Sequence, residues 1–196
     1  MDAQLKTTLL APLTALTQWA ADRPALQTLC RQFADLAQAG TQRLLPGPTG
    51  ERNTWTLLPR ERVLCLADDE QDALTQLAAV LAVGSQALWS DDAFHRDLAK
   101  RLPAAVAARV QFAKAETLMA QPFDAVIFHG DSDKLRTVCE AVAAREAVAA
   151  REGAIVSVQG FARGESNILL ERLYIERSLS VNTAAAGGNA SLMTIG

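Results

Sequence analysis

A chain of 196 residues and 21.0 kDa, with 49% apolar and 21% charged side chains, is long enough for one domain with a substantial core, or for a domain with an appendage. Its 19 basic against 22 acidic residues leave a net charge of −3, which excludes a disordered acidic tail and gives no positive field for nucleic acid. There is no run of about 18 apolar residues for a membrane span, and the start Met1-Asp2-Ala3-Gln4-Leu5-Lys6 lacks the form of a secretory leader, so the chain reads as soluble and cytoplasmic.

The first expected helix carries Leu5, Leu9, Leu13, Leu16 and Trp19 at steps of three and four, with Pro12 as a kink. Asp22 before Pro24 starts a second, striped with Leu26, Leu29, Phe33 and Leu36, and Gly40 stands where a left-handed cap is expected. Residues 1–43 therefore read as an antiparallel helical pair. Residues 44–61 contain Pro46, Gly47, Pro48, Gly50 and Pro59, which break helices and central strands. They read as a connecting segment, either a surface linker or an extended arm over another domain that covers Trp55, Leu57 and Leu58.

From Arg62 onward, short apolar runs alternate with helical stretches, as in β-α units around a largely parallel sheet. Strands are expected at Val63–Ala67, Ala87–Ser90, Val110–Ala113, Ala125–His129 and Ala154–Val158. Helices are expected at Gln71–Val83, Asp92–Leu102 and Lys134–Glu152, the last containing a tandem Ala-Val-Ala-Ala-Arg-Glu that only lengthens it. Right-handed crossovers stack residues 62–164 into a three-layer, Rossmann-like α/β domain. Leu173, Ile175, Leu179 and Val181 then alternate with polar residues, the pattern of a half-buried strand, so residues 165–182 read as a β-flap arm. Residues 183–196 carry no charge but are too polar to span a membrane.

The turn after the first of these strands, Leu66-Ala67-Asp68-Asp69-Glu70-Gln71-Asp72, has no glycine to admit a pyrophosphate and offers carboxylates where a dianion would sit. Dinucleotide binding is disfavoured by that repulsion; the acids suit a helix N-terminus. A phosphoreceiver reading of Asp68 and Asp69 fails at His129, which stands in place of the phosphorylated aspartate, and at the missing lysine of the last strand. Cys30, Cys65 and Cys139 are widely spaced, without a CxxC pair or a neighbouring histidine, and read as packing residues; His95 and His129 read as structural. No Gly-x-Ser-x-Gly elbow occurs. Catalytic, cofactor and metal residues are all expected to be absent.

The run Glu176-Arg-Ser-Leu-Ser-Val-Asn-Thr-Ala-Ala-Ala-Gly-Gly-Asn-Ala-Ser-Leu-Met-Thr-Ile-Gly196 resembles the end of the proline utilization A family, bifunctional proline and pyrroline-5-carboxylate dehydrogenases of bacteria. Leu44-Leu-Pro-Gly-Pro-Thr-Gly-Glu-Arg-Asn-Thr54 with the following strand Arg-Val-Leu-Cys-Leu-Ala is similar to the region after that family's aldehyde dehydrogenase module. The resemblance implies the C-terminal domain of a longer enzyme, a degenerate aldehyde dehydrogenase type of fold without catalysis. It implies FAD and NAD elsewhere in the parent, none in this segment, and a parent that associates peripherally with membrane. The domain's role would be a lid and scaffold for substrate channelling, docking on the aldehyde dehydrogenase module through Asn182, Thr183, Gly187, Gly188 and Asn189, with subunit contacts through the flap. The competing reading is a small-molecule or signalling domain with its crevice near Asp68, His129 and Gln159.

Overall fold

In the computed structural model, which describes residues 3–145 and 155–182, the chain opens with α1 (Ala3–Trp19) and α2 (Pro24–Leu36), packed on each other. The start of α2 is set by Pro24, whose missing N–H costs nothing in the first turn, and Arg23 rather than Asp22 occupies the cap position. The helix ends at Ala37, and Gly40, with φ of 75°, turns the chain beyond it.

The segment read as a connecting arm folds instead as a hairpin. β1 (Gln42–Leu45) and β2 (Glu51–Pro59) pair antiparallel, because the breakers Pro46, Gly47, Pro48 and Gly50 fall together in the turn and Pro59 only ends the strand. Cover for this segment comes from the chain itself: Leu57 is buried, and Trp55 packs on the same core.

β3 (Arg62–Leu66), β4 (Gln86–Ser90), β5 (Val110–Ala113), β6 (Ala125–His129) and β7 (Ser157–Phe161) form one parallel sheet in the order β5-β4-β3-β6-β7. Between them run α3 (Glu70–Val83), α4 (Ala93–Arg101), the short α5 (Ala104–Ala107) and α6 (Ser132–Ala143). A 3-10 turn, Ala115–Ala120, leads from β5 to β6. Alternate strand residues part to opposite faces: Val63, Cys65, Trp89 and Ile127 meet α3 and α4, whereas Leu64, Leu88 and Val126 meet Val142 of α6 and Leu118. Both faces are covered, as an all-parallel sheet requires.

Where α6 was expected to run on to Glu152, the helix ends at Ala143, and Arg145 turns its guanidinium back onto the Gln121 carbonyl at 2.8 Å. The rest of that expected helix lies outside the described residues. β7 starts at Ser157, later than expected, since Ile155 instead gives its carbonyl to the Arg60 guanidinium. Inside β7, Leu135 of α6 lies so close over Gly160 that no Cβ fits there.

α3 is the centre of the molecule. Asp69 caps its start, its carboxylate accepting the Asp72 N–H at 2.9 Å, and Gly84, with φ of 84°, closes its end in the left-handed region. Every residue from Asp72 to Val83 is buried, because the sheet covers one side and α1 with α2 the other. A helix apolar all round is stable only in such a sandwich.

The last strand, β8 (Tyr174–Asn182), adds antiparallel to β2 and makes a second sheet ordered β1-β2-β8. Leu57 and Tyr174 occupy its inward face. The alternation in β8 points the other way from the half-buried reading: Leu44 and Leu179 flank Thr54 in one cross-strand row, and with Val181 they are 69%, 46% and 44% exposed. Leu77→Ala in α3 is expected to cost about 2–5 kcal/mol in chemical denaturation, while Leu44→Ala on the flap stays within about 0.5 kcal/mol.

Candidate functional site

In an open α/β sheet the ligand crevice lies beyond the carboxyl ends of the strands where strand order reverses. Here that place is between β3 and β6, and three features of the chain stand at or near it.

The first is the β3–α3 turn. Asp69 spends its carboxylate on the helix cap, and Glu70 is clamped between Arg101 and Arg23, each at 2.6 Å, which holds its carboxyl below the usual range, with Arg101 the larger influence. Asp68 pairs with Arg163 at 2.8 Å and Lys134 at 3.7 Å. A dinucleotide pyrophosphate needs free amides and close backbone approach at this turn. The turn has no glycine, and Asp69 already accepts the Asp72 N–H at the helix start.

A strap of five residues, Ala162 to Ser166, is the second feature. The Gly164 N–H donates to Asp72 Oδ1 at 2.9 Å, and His129 Nε2–H donates to the Glu165 carbonyl at 2.9 Å. His129 Nδ1 accepts from Gln76 Nε2 at 2.8 Å, whose second hydrogen goes to the Leu66 carbonyl at 2.9 Å. These bonds assign His129 the neutral tautomer with its proton on Nε2. Phe161 stacks on the ring at 5.4 Å. The third feature is Gln159, whose amide donates to the Leu169 carbonyl at 3.1 Å and accepts the Leu169 N–H at 3.0 Å.

Asp68 and His129 line one crevice, as the ligand-binding reading requires, whereas Gln159 is buried within β7 opposite Ile127; each is tied to the strap or to the chain that follows it. The receiver geometry does not form: Asp68 and Asp69 turn to separate partners, and no cluster of three or more His, Cys, Asp or Glu side chains suited to a metal occurs among the described residues. At these strand ends a cavity of about 460 Å³ stays open, lined by Leu66, Asp68, Ser90, Asp92, His129 and Lys134. There His95 Nδ1 pairs with its helix-cap aspartate Asp92 at 2.8 Å. Burial pushes the Cys30 thiol up to about 11 and raises Cys65 further still, so neither is an activated nucleophile. Cys139 is exposed on α6.

Of the expected docking residues, Asn182 ends β8 opposite Glu51 and is exposed; Thr183, Gly187, Gly188 and Asn189 lie outside the described residues. Sequence reasoning missed Asp72, Gln76 and the strap. The available signal was two polar residues one helical turn apart inside an otherwise apolar helix.

No protein-family model matches the chain. It is 96% identical over 196 residues to the bifunctional protein PutA of Salmonella typhimurium, covering 100% of this chain and 14% of that protein. To PutA of Escherichia coli K12 it is 79% identical, again over 100% of this chain and 14% of the relative. PutA of Rhizobium meliloti is 39% identical over 157 residues, 78% of this chain and 12% of that protein. The chain therefore spans about 14% of the length of the curated relatives it matches first. Among solved structures, a proline utilization A structure with proline bound in remote sites superposes with a TM-score of 0.59 at 18% identity, over 80% of this chain and 20% of that one. The 1-pyrroline-5-carboxylate dehydrogenase of Thermus thermophilus gives 0.56 at 12%, over 80% and 38%. At such identities these likenesses speak for the fold alone.

Replacing Gln159 by Leu strands the Leu169 N–H and carbonyl, and is expected to cost about 2 kcal/mol of stability. Chemical denaturation of the variant beside the parent chain measures it.

Proposed function

Because this chain belongs to the family of bifunctional PutA proteins, spanning 14% of their length, we propose that it is a non-catalytic module of a larger oxidoreductase of proline catabolism. In that reading the parent oxidises L-proline with FAD, the imine product hydrolyses inside the protein, and an NAD-dependent aldehyde dehydrogenase module with a cysteine nucleophile makes L-glutamate. The module is a Rossmann-like domain of degenerate aldehyde dehydrogenase type; the all-parallel sheet, reversed in order beside β3, supports this. The parent works in the cytoplasm, with its proline dehydrogenase meeting the membrane surface to pass electrons to quinone.

The module's own part is to cover. One observation carries this: the outer face of the β1-β2-β8 sheet presents Leu44, Leu179 and Val181 to solvent around Thr54 and Arg52, and among the described residues β8 has a neighbour on one side only. A flat apolar face beside an unpaired edge is a surface made to be covered. The proposed occupant is the aldehyde dehydrogenase module of the same polypeptide, with Asn182, Thr183, Gly187, Gly188 and Asn189 completing the contact and closing the path between the two active sites. Contacts between copies of the chain would use the same flap.

Deleting residues 182–196 from the full-length enzyme is expected to lengthen the lag before NADH appears from proline several-fold, with proline dehydrogenation itself little changed. A stopped-flow trace of NADH measures the lag. An unaltered lag removes the lid role.

A further inference from the structure

Asp72 and Gln76 stand one turn apart on α3, on the side that meets the strap, and are 1% and 0% exposed. Asp72 Oδ1 accepts the Gly164 N–H, and both amide hydrogens of Gln76 are used, on Leu66 and His129. What remains is a pair of buried oxygens, Asp72 Oδ2 and Gln76 Oε1, neither with a donor from the protein. With Asp72 ionised both are acceptors; with Asp72 protonated one becomes a donor.

We propose that Asp72 is a neutral carboxylic acid in the folded molecule, whose Oδ2–H donates to Gln76 Oε1 and completes a hydrogen-bond ring that latches the strap beside the crevice. The ring runs from Asp72 to Gln76 Oε1, from Gln76 Nε2 to His129 Nδ1, and from His129 Nε2 to the Glu165 carbonyl. It returns through the adjacent Gly164 N–H to Asp72 Oδ1. The two side-chain oxygens left without a donor, Asp72 Oδ2 and Gln76 Oε1, are then both used, as buried networks require.

The charged groups around Asp72 favour this state. Besides burial, Asp69, on the turn before it, raises the Asp72 carboxyl through a side-chain hydrogen bond to the protonated acid and through its negative charge, and Glu70 is already taken by Arg23 and Arg101. Asp68 absorbs Arg163 from the strap and Lys134 from α6. The Glu165 carboxylate faces the Ala162 N–H at 3.3 Å. Among the described residues, the one basic group within ion-pair distance of Asp72 is the His129 ring, 3.9 Å away, whose bonds fix it as neutral. Burial accordingly holds the Asp72 carboxyl above the usual carboxylate range.

The sign of the pH dependence follows. With the strap open, Asp72 is solvated and loses its proton at an ordinary carboxylate pH; with the strap shut it keeps the proton to a higher pH. Closure is therefore complete below the ordinary value and weakens as pH rises through the raised one, the proton passing from Oδ2 to solvent. Between the two values the opening equilibrium grows about tenfold per pH unit.

The test is amide hydrogen exchange of residues 162–166 in the full-length protein, followed by mass spectrometry over a pH series and corrected for intrinsic rates. In the wild type, protection is expected to fall by up to about tenfold per pH unit through that window. In Asp72→Asn, whose Nδ2–H replaces the acid proton toward Gln76, protection should be independent of pH; in Asp72→Ala it should be lost throughout. Infrared difference spectra of wild type against Asp72→Asn should show the carbonyl band of a neutral carboxylic acid. Wild-type protection that ignores pH, an Asp72→Asn strap that exchanges like Asp72→Ala, or a missing acid band overturns the proposal. Should Asp72→Ala fail to fold, the pH series and the infrared band still decide it.

Discussion

The structure depends on burying α3 from every side. Twelve consecutive residues, Asp72 to Val83, are out of solvent, and no single sheet can cover a helix all round. The α1–α2 pair supplies the second wall, which is why a helical hairpin precedes the α/β unit and packs on α3 rather than projecting from it. Burying this helix at its polar first turns carries Asp72 and Gln76 into the interior, where each must find hydrogen bonds. The partners they find are the end of β3, His129 at the end of β6, and the strap after β7. A packing constraint thus decides what stands at the carboxyl ends of the strands.

That decision has a functional consequence. In a sheet of this order the reversal beside β3 is where a nucleotide would enter, with its phosphates on the helix that follows. In this chain the same helix end is capped by Asp69, its next carboxylate is neutralised by two arginines, and the strap is bonded to Asp72 and His129 beside the opening. The fold resembles that of aldehyde dehydrogenases while the chemistry of its crevice has turned inward. Exposed apolar side chains lie elsewhere, among them Leu44, Leu179 and Val181 on the outer face of the β1-β2-β8 sheet.

Much of the α/β unit could be read from residues alone. Val63–Ala67, Ala87–Ser90, Val110–Ala113 and Ala125–His129 each fall within a residue of observed strands, because short apolar runs between helical stretches have few other fates. The hairpin β1–β2 was hidden because its breakers gather in one turn, so that a count of prolines and glycines misleads where their positions would not. In β8 the alternation was visible but its direction was not: period two says that one face is apolar, and only the pairing with β2 shows which face looks outward. The strap was illegible for a deeper reason. Its bonds use the Gly164 N–H and the Glu165 carbonyl, backbone groups every residue carries, and the side chains that grip them come from distant parts of the chain.

The most direct test of this account is a calorimetric titration of this chain with NAD. If the crevice is bordered by the chain's own carboxylates and strap, no saturable heat appears up to millimolar cofactor. Saturable binding at micromolar NAD would show that the crevice still accepts a nucleotide, and the account would fail.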